Sequence, residues 1–522
     1  MLKNTPSLQY EIEMISLEQL VPKDHLVRKV AKAIDFDFIR DEVAHLYCHD
    51  NGRPAVDPVR LFKIMLLGYL FGIKSERQLV KEIEVNVAYR WFLGMSLTEK
   101  VIDASTLSQN RLRRFNGTDV FERIFTHIVW QAMEKGLVGG KYLFTDSTHL
   151  KASANKNKKH NEKREVRVSH YIAMLNEDVA KVREAKGKKP LKASEKAVEV
   201  KDTNVSNTDP ESGYMHRDNK PKGFFYLDHR TVDGQCGIIL DTFATAGNVN
   251  DSQPYIARLD ATTERFRFKP KAVGLDAGYF TAPIAESLAR RNIIGVFGYR
   301  RPTKGKNRIR KSAFRYNAET DSYTCPAGQS LIYSTTTREG YHTYKSNPTY
   351  CQTCPLRSQC TQNQKAERLI TRHLYQDAVD NANAVRVSRQ GRKLYQRRAE
   401  TVERSFADAK QHHGHRYARY RGLSKVQMQC FLAAMAQNIK KIALVVWAIL
   451  SYLWRQFYLF EAWVKQSAKM TACPVIWKEK QEKSDKVKKQ THFYQMILER
   501  WVCQQSEKPF NFFLIKSSFI AV

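Results

Sequence analysis

Three acidic residues stand in distinctive contexts, far apart along the chain. They are Asp146 in YLFTDSTHL, Asp276 in KAVGLDAGY and Glu403 in RRAETVERSFADAK. Carboxylate oxygens are hard ligands that suit Mg²⁺, which accepts few protein ligands and keeps positions open for water and phosphate. Two such cations can clamp the attacking and leaving oxygens of a phosphodiester. The three residues therefore indicate metal-dependent chemistry on a DNA strand, provided that the fold brings them together.

The elements around these residues are predicted to be two strands and one helix. Each aspartate ends a short apolar run typical of a buried strand, and small or polar residues follow at once. Glu403 lies in a helical segment, and Lys410 lies seven residues further on, which is two helical turns away on the same face. We therefore expect two strand ends and one helix to form the site.

The segments between the three acids predict an α/β domain with a mixed central sheet. Two β-rich runs separated by Asp233 and Gly234 predict a hairpin, and helices alternate with strands after it. Residues 150–200 predict a basic helix inserted between two strands, and residues 300–370 interrupt the domain again. We therefore assign residues 141–447 to one catalytic domain with two insertions.

The chain on either side of this domain has a different character. Residues 1–140 predict a helical N-terminal domain, whose basic stretch at residues 111–114 is either a DNA contact or a solvated helix face. The apolar run at residues 442–454 is shorter than the about 20 residues that span a bilayer, so we expect a buried helix and no membrane. Residues 448–522 form a tail to which we assign no role.

The net charge of +33 predicts a polyanionic partner. Neutralised phosphates release condensed counterions, which gives affinity without reading sequence. Residues 1–140 are nearly neutral, so almost all of the positive excess lies in the part of the chain that holds the three acids. Solubility is the alternative reason for such a charge, but a small domain needs only about 2–8 charges for it. The N-terminus lacks the apolar segment of a secretory signal, so we expect a cytoplasmic protein.

Four of the nine cysteines fall within the second insertion. They are Cys325, Cys351, Cys354 and Cys360. A Cys-x₂-Cys pair with two flanking cysteines fits a tetrahedral structural Zn²⁺ site. The segment has little apolar content, so a bound metal would supply its folding energy. Four free cysteines in a loop are the alternative.

Other polar residues near the acids have plainer expected roles. His412, His413 and His415 follow the Glu403 helix, and we expect them to be exposed or to contact DNA. Asn250 and Asp251 lie in NVNDSQP, where a turn and a helix cap are expected.

Several motifs occur in a fixed order between about residue 15 and residue 447. They are DSTHLKASANK, KGFFYLDHRTVD with NVNDSQP, GLDAGY, and ETVERSFADAK with HRYARYRGL. Together they resemble the DDE-type transposases of bacterial insertion sequences, most closely the group with a helical N-terminal domain and a cysteine-bearing insertion. The resemblance implies an RNase H-like catalytic core, a mixed sheet with flanking helices, that binds two Mg²⁺ or Mn²⁺ ions. It also implies a zinc-ribbon-like insertion.

The resemblance assigns roles to four residues. Asp146, Asp276 and Glu403 match the three catalytic carboxylates of the family. Lys410 matches a lysine that contacts DNA near the scissile phosphate.

The family signature also places an arginine four residues and a tyrosine seven residues before the glutamate. Those positions hold Ala399 and Gln396 here. Arg398 and Tyr395 are each displaced by one residue, which corresponds to about 100° around a regular helix. Either the group tolerates this register or the helix is irregular there, so both residues are left out of the expected catalytic set.

The implied function is that of a nucleoid-associated DNA transposase. Such an enzyme binds terminal inverted repeats as at least a dimer, cleaves double-stranded DNA and joins the ends to target DNA. The N-terminal helical domain is expected to bind DNA and to dimerise. Two alternatives remain: an RNase H-like nuclease without strand transfer, and a catalytically inactive DNA-binding repressor.

Overall fold

The strand that carries Asp146 is the centre of the main sheet. The computed structural model describes residues 14–48, 55–167, 171–191, 198–216, 222–299 and 309–470. The main sheet contains six strands: β1 (Tyr142–Lys151), β4 (Gly213–Met215), β5 (Gly223–Asp233), β6 (Ile239–Ala246), β7 (Ala272–Leu275) and β8 (Ile294–Phe297). Their order is β4-β5-β1-β7-β8, and β6 also pairs with β5. β1 is antiparallel to β5 and parallel to β7, which is parallel to β8. The predicted mixed α/β sheet is confirmed.

The predicted hairpin joins β5 to β6. The two strands are antiparallel, and Asp233 and Gly234 lie at the turn between them. The Asp233 carboxylate accepts hydrogen bonds from the backbone N–H groups of Gly140 at 2.8 Å and Gln235 at 2.7 Å. These bonds tie the turn to the segment that leads into β1.

The first insertion is a two-stranded ribbon with a helix between its strands. Its elements are β2 (Lys159–Arg167), α9 (Tyr171–Ala185) and β3 (Val198–Ser206). β2 and β3 pair antiparallel over their full lengths. The expected helix is present, and the ribbon is an addition that the basic composition did not predict.

The N-terminal segment is helical, as its apolar spacing predicts. Its helices are α1 (Leu17–Leu20), α2 (Leu26–Ala33), α3 (Phe38–Val43), α4 (Pro58–Leu70), α5 (Glu76–Val85), α6 (Val87–Leu93), α7 (Ala104–Gln109) and α8 (Val120–Glu134). A π-helical turn at residues 110–114 follows α7. Arg111 in this turn is buried and pairs with Glu76, so for this residue both a DNA contact and a solvated face were wrong expectations.

Helices of the catalytic segment flank the main sheet. They are α10 (Tyr255–Phe266), α11 (Ala282–Arg290), α14 (Gln376–Val387), α15 (Arg389–Arg398), α16 (Arg404–His412) and α17 (Leu423–Met470). A π-helical turn at Ala399–Glu403 connects α15 directly to α16. Glu403 therefore lies in a helical segment, as predicted, where α15 and α16 meet.

The second insertion is a folded sheet. Its elements are β9 (Arg315–Asn317), β10 (Ser322–Thr324), β11 (Ser330–Thr336), β12 (Tyr341–Ser346), α12 (Pro348–Gln352), α13 (Arg357–Cys360) and β13 (Leu369–His373). The strands form an antiparallel sheet in the order β13-β12-β11-β10-β9. Phe314, Tyr323, Leu331, Tyr344 and Ile370 form a small core on it. The segment has little apolar content, as noted from the sequence, but it still forms a core, because tyrosines supply much of the buried surface.

The chain divides into two units, Met1–Ala443 and Leu444–Val522. Most of α17 from Val426 to Ala443 is buried, and Ile442 and Ala443 are its last buried residues. Leu444 and Trp454 are exposed, so the predicted burial of residues 442–454 is wrong for most of that run. Within Leu423–Gln456 this helix is long and apolar enough for a membrane span, but more than half of its most apolar window is buried, as in a core helix. The part of the tail beyond residue 470 lies outside the described residues.

Candidate active site

The sheet register places the two aspartates side by side. In the parallel β1–β7 pair, the last paired residues are Thr145 and Leu275. Asp146 and Asp276 come next on the two strands, so they follow the end of this pairing at the same level of the sheet. Asp276 follows the end of β7, as predicted. Asp146 does not end its strand, because β1 continues antiparallel to β5 as far as Lys151. β7 is the shorter strand, and only its aspartate lies at a true strand end.

All three carboxylates meet around the guanidinium of Arg398. Nη2 of Arg398 donates to Oδ2 of Asp146 at 2.6 Å. Its Nη1 lies 3.6 Å from Oδ1 of Asp276 and 3.8 Å from Oε1 of Glu403. The Arg398 side chain is 3% exposed, whereas those of Asp276 and Glu403 are about half exposed. The structure thus brings the three predicted acids together and places a buried cation beneath them.

The π-helical turn explains how Arg398 reaches Glu403. In a π-helix the hydrogen bonds join residues i and i+5, so residues five apart lie one turn apart on the same face. Arg398 and Glu403 are five apart and are separated by this turn. The sequence left two explanations for the one-residue displacement of Arg398: a tolerated change of register or an irregular helix. The structure has the irregular helix. Arg398 is the main site residue left out of the predicted set.

Tyr395 completes this part of the site. Its hydroxyl accepts a hydrogen bond from Nη1 of Arg398 at 3.1 Å. Gly298 leaves room for it, because a Cβ at that position would lie 2.6 Å from the tyrosine hydroxyl oxygen. A larger residue at position 298 would therefore displace Tyr395 from Arg398.

Burial and the neighbouring charges shift the pKa values of Asp146 and Arg398 in opposite directions. Burial raises the pKa of Asp146 to about 6, and the charges of Asp276 and Asp251 add to this rise. Arg398 and the backbone N–H of Ser147 act in the opposite direction. Burial also opposes the charged form of Arg398, yet the Asp146 carboxylate raises the pKa of the guanidinium above its ordinary value. A set of carboxylate oxygens gathered around one cation fits a hard divalent metal ion.

Lys410 lies on α16 near the acids, without an ion pair to them among the described residues. Burial lowers its pKa, and the neighbouring cations Arg416 and Arg230 act in the same direction. Asp146 lies close enough for its charge to act in the opposite direction. The structure thus places Lys410 beside the site, with its ammonium available to a further anion.

Asp251 is an additional carboxylate near Asp146. Asn250 forms the expected turn, because its Oδ1 accepts from the backbone N–H of Ser252 at 3.1 Å. Asp251 does not cap α10, whose N-terminal cap position is Pro254 and lacks a side-chain hydrogen bond. Its Oδ1 is buried and has no hydrogen-bond partner among the described residues, and its charge raises the pKa of Asp146. The sequence signal for this placement was that Asp251 lies in NVNDSQP, one of the motifs that carry the family resemblance.

Two of the histidines have structural partners. Nδ1 of His413 lies 2.7 Å from the carbonyl oxygen of Tyr69, and Nε2 of His415 lies 2.8 Å from Oδ2 of Asp228. Both side chains are buried, so exposure and DNA contact were wrong expectations for them. His413 joins the end of α16 to the N-terminal helices.

The four cysteines of the second insertion line one small cavity. All four are free thiols. Burial raises the pKa of Cys360, and the other three thiols lie near enough to contribute to that rise. Among the described residues, the group of three or more metal-binding side chains whose ligand atoms lie within 4.8 Å of one another is Asp228, His415 and Cys430. The cysteine sulfurs are not drawn this close together, so the zinc site stays a prediction.

Two family models match the chain. The model described as a transposase domain (DUF772) matches residues 15–113, and the model described as a transposase DDE domain matches residues 324–443. Both matches are to transposase domains and support a DDE-type insertion-sequence transposase. The first match covers most of the N-terminal helices, and the second covers the four cysteines of the second insertion, Arg398, Glu403 and Lys410.

Comparisons with individual proteins add less. No curated protein matches this chain significantly. A solved structure described as the piggyBac transposase synaptic complex with hairpin DNA aligns with 87% of this chain and 85% of its own. The identity is 9% and the TM-score is 0.29, a likeness too low to support an argument about the fold.

Proposed function

We propose that this DNA transposase binds the terminal inverted repeats of an insertion sequence and catalyses metal-dependent strand cleavage followed by strand transfer. The observation that carries the proposal is the convergence of Asp146, Asp276 and Glu403 on the buried guanidinium of Arg398. These residues come from β1, the end of β7 and the α15–α16 junction. Three separate elements are needed to assemble the cluster, which favours a dedicated site over an incidental surface ion pair.

An RNase H-like core is supported by the direction of the strands. The central β1 is antiparallel to β5 on one side and parallel to β7 and β8 on the other. Helices flank this mixed sheet, and the candidate acids lie on β1, after β7 and on a late helix. We assign the catalytic domain to residues 141–447 and the N-terminal domain to residues 1–140.

Asp146, Asp276 and Glu403 are the residues that would hold two Mg²⁺ or Mn²⁺ ions. Bound cations of this kind activate the attacking oxygen and stabilise the leaving oxygen of a phosphodiester. Asp276 and Glu403 are half exposed and only loosely paired, so each can turn towards a metal while Arg398 keeps its short contact with Asp146. Arg398 thereby holds Asp146 ionised and in place, despite the burial that raises the pKa of this carboxyl.

Lys410 would bind a phosphate oxygen next to the scissile bond. It has no competing ion pair among the described residues, and it lies two helical turns after Glu403. The large positive charge of the chain supports a double-stranded DNA partner, including the inverted repeats and the target. We assign sequence-specific binding and assembly into at least a dimer to the N-terminal helices, and we place the enzyme in the cytoplasm, at the nucleoid.

A structural Zn²⁺ held by Cys325, Cys351, Cys354 and Cys360 is a separate part of the proposal. Its support is that all four thiols line one cavity and that none of them forms a disulfide. Four thiolates would close a tetrahedral site and leave no open position for catalysis.

The test uses purified full-length protein, Mg²⁺ and DNA that carries the inverted repeats flanking the gene. The wild type should cleave at the repeat ends and should join pre-cleaved ends to a target plasmid. Asp146→Asn, Asp276→Asn and Glu403→Gln should abolish both steps and retain DNA binding. Asp260→Asn, on the exposed side of α10, is the matched control and should remain active.

Each contrary outcome has a clear meaning. Cleavage that survives Asp146→Asn would overturn the assignment of the three acids. Cleavage without joining of pre-cleaved ends would indicate a nuclease. Repeat binding by the wild type without cleavage in Mg²⁺ or Mn²⁺ would indicate a repressor.

A further inference from the structure

A fully buried ionic network lies directly behind the candidate active site. Asp228 and Arg230, both on β5, are completely buried. Nε of Arg230 donates to Oδ2 of Asp228 at 2.8 Å, and Nε2 of His415 lies 2.8 Å from the same oxygen. The other carboxylate oxygen of Asp228 accepts from the hydroxyl of Thr242 at 2.7 Å. None of these residues belongs to the proposed catalytic set.

The network is not suited to a metal ion, although Asp228, His415 and Cys430 have ligand atoms within 4.8 Å of one another. The guanidinium of Arg230 already occupies the carboxylate oxygen that a metal would need. Burial alone would raise the pKa of Asp228, but the charge of Arg230 and the hydrogen bond to His415 hold it below its ordinary range. The carboxylate is therefore ionised and paired, and a second cation beside Arg230 would be repelled.

Arg230 is the member of the network that faces the site. It lies directly opposite Asp146 in the β1–β5 pair, so the two side chains project from the same face of the sheet. Its Nη1 donates to Oγ of Ser405 at 3.2 Å, and its guanidinium lies 5.1 Å from the ring centroid of Phe406. Ser405 and Phe406 follow Glu403 by two and three residues.

The helix needs such an anchor at this point. A π-helical turn ends at Glu403 and is less regular than the α-helix on either side of it. Arg398 holds the start of this turn to Asp146, and Arg230 holds the residues after it to β5. The position of Glu403 relative to Asp146 is therefore fixed from both ends by arginines bonded to the sheet.

We propose that Arg230 is a positioning residue for the transposase reaction, which sets the separation of Glu403 from Asp146 by clamping Ser405 and Phe406 to β5. The inference rests on the proposed function. Metal-dependent sites tolerate errors of only about 0.5 Å, and a misplacement of about 1 Å can cost about 10²-fold in rate. Loss of the clamp should therefore impair metal use and catalysis more than it impairs DNA binding.

The test must avoid leaving a buried charge without a partner, since that alone strongly destabilises a fold. The main variant is therefore the pair Asp228→Asn with Arg230→Gln, which removes both charges and keeps polar groups for Thr242 and His415. Ser405→Ala is the mild variant, because it removes the contact of Arg230 with the helix and one hydrogen bond to Gln437 while both buried charges stay paired. The matched control is Asp241→Asn with Arg258→Gln, which removes another ion pair between the sheet and a helix, where Nε of Arg258 donates to Oδ2 of Asp241 at 2.9 Å.

Three quantities are measured for each protein: the DNA dissociation constant, the melting temperature, and the single-turnover cleavage rate as a function of Mg²⁺ concentration. The paired network variant should lose about 10²-fold in rate at saturating Mg²⁺ and should need about tenfold more Mg²⁺ for half its maximal rate, with DNA affinity unchanged. Ser405→Ala should show the same pattern with a loss of several-fold. The control pair should keep the wild-type rate and Mg²⁺ dependence, even if its melting temperature falls as far as that of the paired network variant.

A network variant that matches the control pair in rate and Mg²⁺ dependence would overturn the inference. If the paired variant does not fold, Ser405→Ala decides, and a wild-type Mg²⁺ profile for it has the same meaning. The proposed function itself fails through the wild type, if it does not cleave or does not join, or through Asp146→Asn, if cleavage survives, so the two failures are distinguishable.

Discussion

The acidic site and the cysteine cluster are two candidate metal centres built on different principles. The ligands of the acidic site come from β1, β7 and the α15–α16 junction, and they already surround a protein cation, Arg398. The cysteines all come from one insertion, and Arg368, which lines the same cavity, donates to the backbone carbonyl oxygen of Cys360 and not to a sulfur. A site whose ligands already surround a cation is organised before any metal arrives, whereas the four thiols gain close contact only by binding one.

The two centres should therefore respond differently to metal. At the acidic site, a divalent ion would replace only the long contacts of Arg398 with Asp276 and Glu403, so the fold should change little. At the cysteines, metal binding must release protons from thiols, and burial raises the pKa of Cys360. Metal binding that requires the loss of protons from the ligands is coupled to folding. The stability of the β9–β13 sheet should therefore depend on metal binding by the four cysteines.

The largest expected effect is on activity at the acidic site, with little change in stability. Glu403→Gln should reduce strand cleavage by on the order of 10³-fold, since loss of one group that stabilises transition-state charge costs about 10²–10³. Its side chain is half exposed, so the melting temperature should stay near that of the wild type. A cleavage assay and a thermal scan on the same preparation measure both effects. A large fall in melting temperature for this variant would contradict the view that the acidic site is organised without metal.

Removal of zinc should have a large structural effect confined to one region. Cys354→Ser, or a strong zinc chelator, should lower hydrogen-exchange protection across residues 309–373 by at least about tenfold and leave the main sheet protected. Exchange measured by mass spectrometry, together with the zinc content per chain, checks this. Cys236→Ser, outside the cluster, is the control. Unchanged protection after complete metal removal would mean that the core around Tyr323 and Tyr344 holds the sheet alone.

Acid should weaken the acidic-site region through His413. Burial lowers the pKa of His413 to about 4, below the 6.5 of a free histidine. A base with a lowered folded pKa contributes stability that is present above pH 6.5 and is lost as the pH falls towards 4, by up to about 3 kcal/mol. Urea unfolding at pH 7.5 and pH 4.5 measures the loss, and His413→Asn should flatten this part of the profile. An equal pH dependence in the variant would exclude His413 as its source.

The smallest expected effect tests Arg398 as the internal cation of the acidic site. Arg398→Met leaves three carboxylates without their partner and should lower metal-free stability by about 1–2 kcal/mol, since two of them are half exposed. Millimolar Mg²⁺ should restore part of this loss, and it should stabilise the wild type less. Unfolding with and without Mg²⁺ provides the measurement. Arg291→Met, which breaks an exposed pair with Asp260, should show no such Mg²⁺ dependence.

The sequence predicted the sheet and the convergence of the acids well. Asp276 after β7 was readable because a buried strand is a short apolar run. The polar residues after Asp146 predict that the strand ends there, but β5 pairs with that part of β1 and the strand continues. A polar stretch can remain in a sheet when its cross-strand partner supplies the matching polar group, as Thr231 does for Thr145.

The supporting residues were much harder to predict. The sequence shows that Arg398 is displaced by one residue from the position of the family's arginine. It does not show the π-helical turn, which depends on tertiary contacts and has no local sequence signal. Arg230, His413 and His415 look like solvated residues of a basic chain, and their burial follows from partners up to several hundred positions away. Long-range ion pairs of this kind cannot be inferred from spacing in a single sequence.

The π-helical turn before Glu403 also bears on how such genes can vary. In a regular helix, one inserted codon between Arg398 and Glu403 would rotate the two side chains about 100° apart. Here the wider turn absorbs the extra residue and returns both side chains to one face. Deletion of Ala399 would in turn convert this turn into an ordinary helical one with the same pair aligned. Related genes can therefore gain or lose this codon without losing the site, and a search that demands a fixed arginine-to-glutamate spacing would overlook functional members.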